Sequence, residues 1–151
     1  MASIARSLTA GEIALLTSVY GTTIPYAKVK VHNEKAYFFQ PDDTAMTPDG
    51  EIYFPPKHYQ ADFSAASLSG QAWFVHEGAH LYQFYSLRWN VKFRGTFDRN
   101  YNYKLDPKKR FQDYGLEAQG SIASDYFQLR SGSTISRSYH LSDYANILPI
   151  P

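Results

Sequence analysis

The sequence predicts an α+β domain, with a small antiparallel sheet in its first third and two long helices downstream. Three patterns predict it. Leu68, Ala72, Val75, Ala79 and Tyr82 recur at three- and four-residue spacing and make one helical stripe. Leu116, Ala123, Tyr126 and Phe127 trace a second helix over residues 113–130, interrupted by Gly115 and Gly120. Between residues 26 and 32 the period falls to two, as Val29 and Val31 alternate with Lys28 and Lys30.

Taken in order, Thr9 and Glu12 form a capping box, and Ile13, Leu16 and Tyr20 follow at helical spacing until Gly21 stops the segment. Residues 26–32 read as a strand, and residues 35–39 return as its partner across Asn33-Glu34. Residues 41–49 read as loop, Pro48-Asp49-Gly50 as a turn, and residues 51–54 as a third short strand before Pro55-Pro56. One of these strands is expected to lie along a cleft, where its edge can take an extended substrate. Ser64 or Ser67 caps the long helix, which runs to about Tyr85. Gly78 inside it costs up to about 1 kcal/mol relative to Ala, which implies close packing there. Residues 89–93 and 101–105 read as strands or extended segments around an Asp98-Arg99-Asn100 turn, residues 106–109 as a solvated break, and residues from about 131 to 151 as an irregular tail with an apolar end.

The chain of 151 residues is expected to form a single domain with its own core. It contains no Cys, so any metal must be held by His and carboxylate. A net charge of +1 gives no reason for strong attraction to nucleic acid or acidic membranes. The 17% aromatic content, led by thirteen Tyr, points to a compact interior and a cleft walled by rings with polar tips. No run of eighteen apolar residues and no basic-then-apolar leader stands in the sequence, so neither a membrane span nor an ordinary export signal is expected.

The chemistry concentrates in His76-Glu77-Gly78-Ala79-His80. On a helix, the i, i+4 spacing stacks His76 and His80 one turn apart on one face, where both imidazoles can reach one cation. Glu77 lies beside the pair, where it can touch a water on the metal without ligating the metal. With five His and five Glu in the chain, a shuffled sequence produces this pattern about half a percent of the time. A catalytic zinc ion usually has three protein ligands and an open position. A third His six residues after the second is ruled out by Ser86. Glu117, the one glutamate after the motif, lies on the second predicted helix and is the expected third ligand, as in glutamate-type zincins; Asp98 is the alternative.

Several stretches carry a resemblance beyond the motif. Leu8-Thr9-Ala10-Gly11-Glu12-Ile13-Ala14-Leu15, residues 45–56, Asp62-Phe63-Ser64-Ala65-Ala66-Ser67-Leu68, the His76 motif and Tyr114-Gly115-Leu116-Glu117-Ala118-Gln119 together resemble the small Vgr-related proteins of Gram-negative bacteria. These are similar to the zincin-like metallopeptidase domain at the C-terminus of some type VI secretion spike (VgrG) proteins. The resemblance implies a single zincin-like domain, one zinc ion held by His76, His80 and Glu117, and Glu77 as general base. It further implies an antibacterial toxin that is cytoplasmic in its producer, is carried by a secretion spike into a neighbouring cell or its periplasm, and is neutralised at home by an immunity protein. Gly78-Ala79 departs from the family pattern, where a bulkier residue followed by Thr is expected; neither position is a ligand, so the departure bears on packing.

Amide hydrolysis at such a centre also needs a donor for the oxyanion, for which His140, Tyr101, Tyr103 and Tyr126 are candidates. Asp125 is a candidate partner for the free nitrogen of a zinc-bound His. His32 and His58 read as structural or solvent-facing. The expected function is a zinc metallopeptidase acting on protein or on the peptide part of a cell wall. The alternative is a non-catalytic zincin-like adaptor that docks on a spike, and the intact Glu77 favours the enzyme because a purely structural metal needs no base.

Overall fold

The computed structural model describes residues 3–149, so Ile150 and Pro151 of the apolar end lie outside the described residues. In chain order the elements are β1 (Ala5–Ser7), α1 (Ala10–Tyr20), β2 (Lys30–His32), β3 (Ile52–Tyr53), α2 (Leu68–Tyr85), α3 (Val91–Phe97), α4 (Leu116–Arg130) and α5 (Leu141–Ala145). Single 3₁₀ turns at Tyr26–Lys28, Pro56–His58, Phe63–Ala65 and Phe111–Asp113 join them. No described helix is long and apolar enough to cross a membrane.

The sheet is mixed rather than antiparallel. β1 runs antiparallel to β2, with Arg6 opposite Val31, and β3 runs parallel to β2, with Val31 opposite Ile52. Residues 35–39 do not return as a strand. Their loop closes instead around the buried Gln40 amide, which accepts from the Ala36 N–H at 2.7 Å and donates to the carbonyls of Thr44 and Tyr53. Phe38 and Phe39 are left 95% and 62% exposed, against the burial that a strand reading of these rings implies. The chain then comes back along the outer edge of β3, where Met46 and Tyr53 exchange both backbone hydrogen bonds. That return places Ala45 and Thr47 against α2.

The capping box forms as the sequence expects. Thr9 Oγ1 accepts from the Glu12 N–H at 3.0 Å, and Glu12 Oε1 accepts from the Thr9 N–H at 2.9 Å. Glu12 is fully buried, and its carboxylate also takes both terminal nitrogens of Arg6 at 2.9 Å and the Phe63 N–H at 2.8 Å. One carboxylate therefore ties β1, α1 and the turn before α2 together. Loss of Arg6 would strand that charge, at a cost of about 3–5 kcal/mol.

Ser67 caps α2 through its side chain, and the helix is buried on most of its circumference. Phe54, Phe63 and Phe74 stack in series with centroids 4.2 and 5.1 Å apart, fixing α2 to the end of β3. α1 crosses α2 at Gly78, where a Cβ would sit 2.6 Å from the Tyr20 ring and 2.7 Å from Leu16. Tyr20 uses this proximity to donate its hydroxyl to the Val75 carbonyl at 2.6 Å. Close packing at Gly78 was the expectation, and the crossing of α1 is its cause.

Two further expectations change. The segment over residues 89–93 enters the helix α3, capped by Asn90 Oδ1 on the Phe93 N–H, with Val91 turned inward. The tail holds α5, whose Tyr144 is fully buried, and Leu148 packs behind it. Residues 101–105 form no strand; the Leu105 N–H goes to the Tyr139 hydroxyl.

Candidate metal centre

α2 and α4 pack side by side, and one side chain at their junction faces both histidines. Glu117 Oε1 lies 3.0 Å from His76 Nε2 and 3.0 Å from His80 Nε2. One ligand atom from each of the three residues falls within 4.8 Å of the others. Ligand atoms around a tetrahedral zinc ion stand about 3.3 Å apart, so the cluster needs only a slight opening to admit one. Two imidazole nitrogens and a carboxylate oxygen are a donor set that suits zinc.

The close approach of α4 is built into Gly120. A Cβ there would stand 2.6 Å from His76 Cε1 and Nε2, so only glycine lets the helix carry Glu117 this near. Asp98 does not join the cluster. Its Oδ2 accepts the Leu116 N–H at 2.7 Å, supplying the helix cap that Gly115 cannot, and so it fixes the turn on which Glu117 sits.

His80 is 5% exposed, and a pair of buried amides orients it. Gln83 Nε2 donates to the Leu116 carbonyl at 2.9 Å and to Gln119 Oε1 at 3.0 Å. Gln119 Nε2 donates in turn to the Tyr114 carbonyl at 3.0 Å. Both amide orientations are thereby set by carbonyl acceptors, which leaves Gln83 Oε1 to accept from His80 Nδ1 at 2.9 Å. His80 Nδ1 must carry a proton, which leaves Nε2 as the nitrogen that faces the cluster. In the metal-free cluster, burial disfavours charge on His80, but the hydrogen bond and charge of Glu117 overcome it and push the pKa up to about 9. Glu117 is desolvated as well, yet its hydrogen bonds to His76 and His80 hold its carboxyl well below the usual range.

Glu77 is 4% exposed and accepts the Thr47 hydroxyl at Oε1, 2.8 Å away. Tyr101 stacks on His76 with ring centroids 5.6 Å apart. Burial, then the charges of Glu117 and Glu77, push the Tyr101 phenol up to about 12, so it keeps its proton at neutral pH. Two cavities, of about 410 and 430 Å³, share Glu77, Tyr101, Thr44 and Ala45; the first holds His80 and Glu117, the second His76.

The remaining candidates lie elsewhere. Tyr103 donates to Asp125 at 2.6 Å, and Arg137 binds the same Asp125 oxygen at 2.7 Å, so that carboxylate serves an aromatic and cationic cluster with Tyr144. Tyr126 is buried beneath Arg130. His140 is exposed at the start of α5. None of these four lines either cavity. His32 pairs with Glu51 and stacks on Tyr53, and His58 packs edge-on against Trp73. Sequence pattern alone assigns no role at the site to Thr47, Gln83 or Gln119. Gln83 had a signal, three residues after His80 on the same helical face; Thr47 had none.

No family model matches the chain. It is 37% identical over 131 residues to the type VI secretion system spike protein VgrG2b of Pseudomonas aeruginosa, a match covering 81% of this chain and 13% of that protein. The solved effector domain of Pseudomonas aeruginosa VgrG2b superposes with a TM-score of 0.80 at 32% identity, covering 95% of this chain and 81% of that one.

Proposed function

The chain belongs to the family of the VgrG2b effector domain, and from that premise we propose that it is a type VI secretion effector that hydrolyses an amide bond at a single zinc ion. His76 Nε2, His80 Nε2 and a Glu117 oxygen hold the ion. When bound, zinc polarises a carbonyl and lowers the pKa of water at the site toward about 7. Glu77 accepts the proton at Oε2, since Oε1 is engaged by Thr47, and returns it to the leaving amine. The Tyr101 hydroxyl donates to the developing oxyanion; its ring is held in place on His76. His140, Tyr103 and Tyr126 take no part in this scheme, and Gln83 takes the positioning role expected of Asp125.

One observation carries the reading: both His Nε2 atoms face the same Glu117 oxygen on a cleft that also contains a buried, oriented Glu77. A non-catalytic adaptor has no use for that carboxylate. Carriage by a secretion spike, release in the periplasm of a neighbouring cell and neutralisation by an immunity protein complete the proposal. The chain spans 13% of the length of the spike protein it matches.

The test is a Glu77→Ala variant, purified for metal analysis and expressed in the periplasm. The expected result is unchanged zinc content with hydrolysis and toxicity reduced by about 10²–10⁴, the usual contribution of a general base. Toxicity equal to the wild type would rule out the enzyme.

A further inference from the structure

The two cavities that meet at Glu77 differ in chemistry. On the His76 side the walls are Trp73 and small or neutral polar residues, Ser69, Ala72, Ser124 and Gln128, with Asp43 and no cation among them. On the His80 side the walls are Tyr37, Phe39, Pro41, Met46 and Val91, and two cations, Lys92 and Arg99, look in. Apart from Glu77 and Glu117, no carboxylate lines that side.

Among the described residues Lys92 and Arg99 make no ion pair. Lys92 Nζ rests 4.6 Å over the Tyr37 ring, which links α3 to the loop over residues 35–40 across the cleft mouth. Arg99 Nε donates to the Gly95 carbonyl at 3.4 Å. The Phe39 ring is stacked on Tyr37 with centroids 5.1 Å apart and is 62% exposed. A half-buried ring stacked on an exposed one, beside cations without an ion pair, forms a surface that gains when an apolar side chain and a carboxylate cover it together.

We infer that this half of the cleft is a specificity subsite for a polypeptide, taking a bulky apolar side chain between the Tyr37–Phe39 wall and α3 while a neighbouring acidic side chain meets Lys92 and Arg99. The inference deepens the hydrolase reading, on which it rests for turnover though not for binding. It also separates the two substrate classes. Cell-wall stem peptides offer carboxylates but no aromatic ring for the wall, so the subsite selects protein.

The experiment uses fluorescein-labelled peptides that differ only in an aromatic residue against Ala and in an adjacent Asp against Lys, with cell-wall stem peptides as a further arm. Cleavage is followed with the zinc-loaded protein and binding by anisotropy with the Glu77→Gln protein. The aromatic-Asp peptide is expected to be preferred over the aromatic-Lys peptide by about tenfold, as two exposed charge pairs allow. Replacing both Lys92→Glu and Arg99→Glu should invert that order, while Lys108→Glu, outside the cleft, should leave it intact. Binding with this preference but no cleavage of any peptide by the wild type would refute the hydrolase reading and leave the subsite standing. Equal handling of Asp and Lys peptides, no binding of either, or stem peptides taken as well as the aromatic-Asp peptide would overturn the subsite.

Discussion

Replacing Gln83 with Leu should weaken zinc binding without touching a ligand. The Gln83 amide is fully buried and makes three hydrogen bonds, to His80 Nδ1 at 2.9 Å, the Leu116 carbonyl at 2.9 Å and Gln119 Oε1 at 3.0 Å. Leu is similar in size but leaves His80 Nδ1–H and Gln119 Oε1 without partners in the interior. Each orphaned group costs about 1–3 kcal/mol, so the metal-free protein should lose on the order of 3 kcal/mol. The imidazole, no longer held in one tautomer and orientation, should bind zinc about 10–100-fold more weakly, the usual penalty for losing the partner of a ligating histidine. Denaturant unfolding of the metal-free protein reads the first quantity, and competition with a chromophoric chelator reads the second. Gln119→Leu keeps the His80–Gln83 bond and should lower affinity less. A Gln83→Leu protein that unfolds more easily yet binds zinc as tightly as wild type would refute the orienting role.

Three other outcomes follow from the same geometry. Gly120→Ala should improve the helix propensity of α4 by up to about 1 kcal/mol yet lower zinc affinity at least about tenfold, because its Cβ would displace the His76 ring; chelator competition and thermal melting of the metal-free protein separate the two effects. Gly78→Ala should destabilise by about 1–3 kcal/mol through overlap with Tyr20 and Leu16, with zinc stoichiometry unchanged, as read by denaturant unfolding and metal analysis. Zinc binding at pH 7 should release a proton. The metal-free His80 is protonated below about 9, and the ion takes the Nε2 lone pair, so affinity rises with pH up to that value. Calorimetry in buffers of different ionisation heat counts the proton, and a pH-independent affinity between pH 6 and pH 8 would contradict it.

The metal-bearing half of the molecule was legible in the sequence because it is helical and local. The spacing of His76 and His80, the Ser67 cap and the apolar stripe of α2 all act within a few residues of one another. Glu117 could be named by elimination and by family resemblance but not from local pattern, since its contact with the histidines depends on how α4 packs, which Gly120 and the Asp98 cap govern. The sheet was read less well. β1 is three residues long, too short for an alternation pattern, and its Arg6 is held by Glu12 of α1, a contact that such a pattern does not report. Residues 35–39 carry strand-like aromatics that in fact line a cleft mouth. The α5 tail was obscured by its polar surface residues, although the fully buried Tyr144 anchors it.

In the proposed centre His76, His80 and Glu117 close on one ion and leave a position open beside Glu77. A zinc-soaked crystal measured at the zinc absorption edge tests it most directly. A single anomalous peak is expected within about 2.0–2.2 Å of both Nε2 atoms and a Glu117 oxygen, with solvent completing the coordination. A peak elsewhere, or a fourth protein atom bound to the ion, would contradict it.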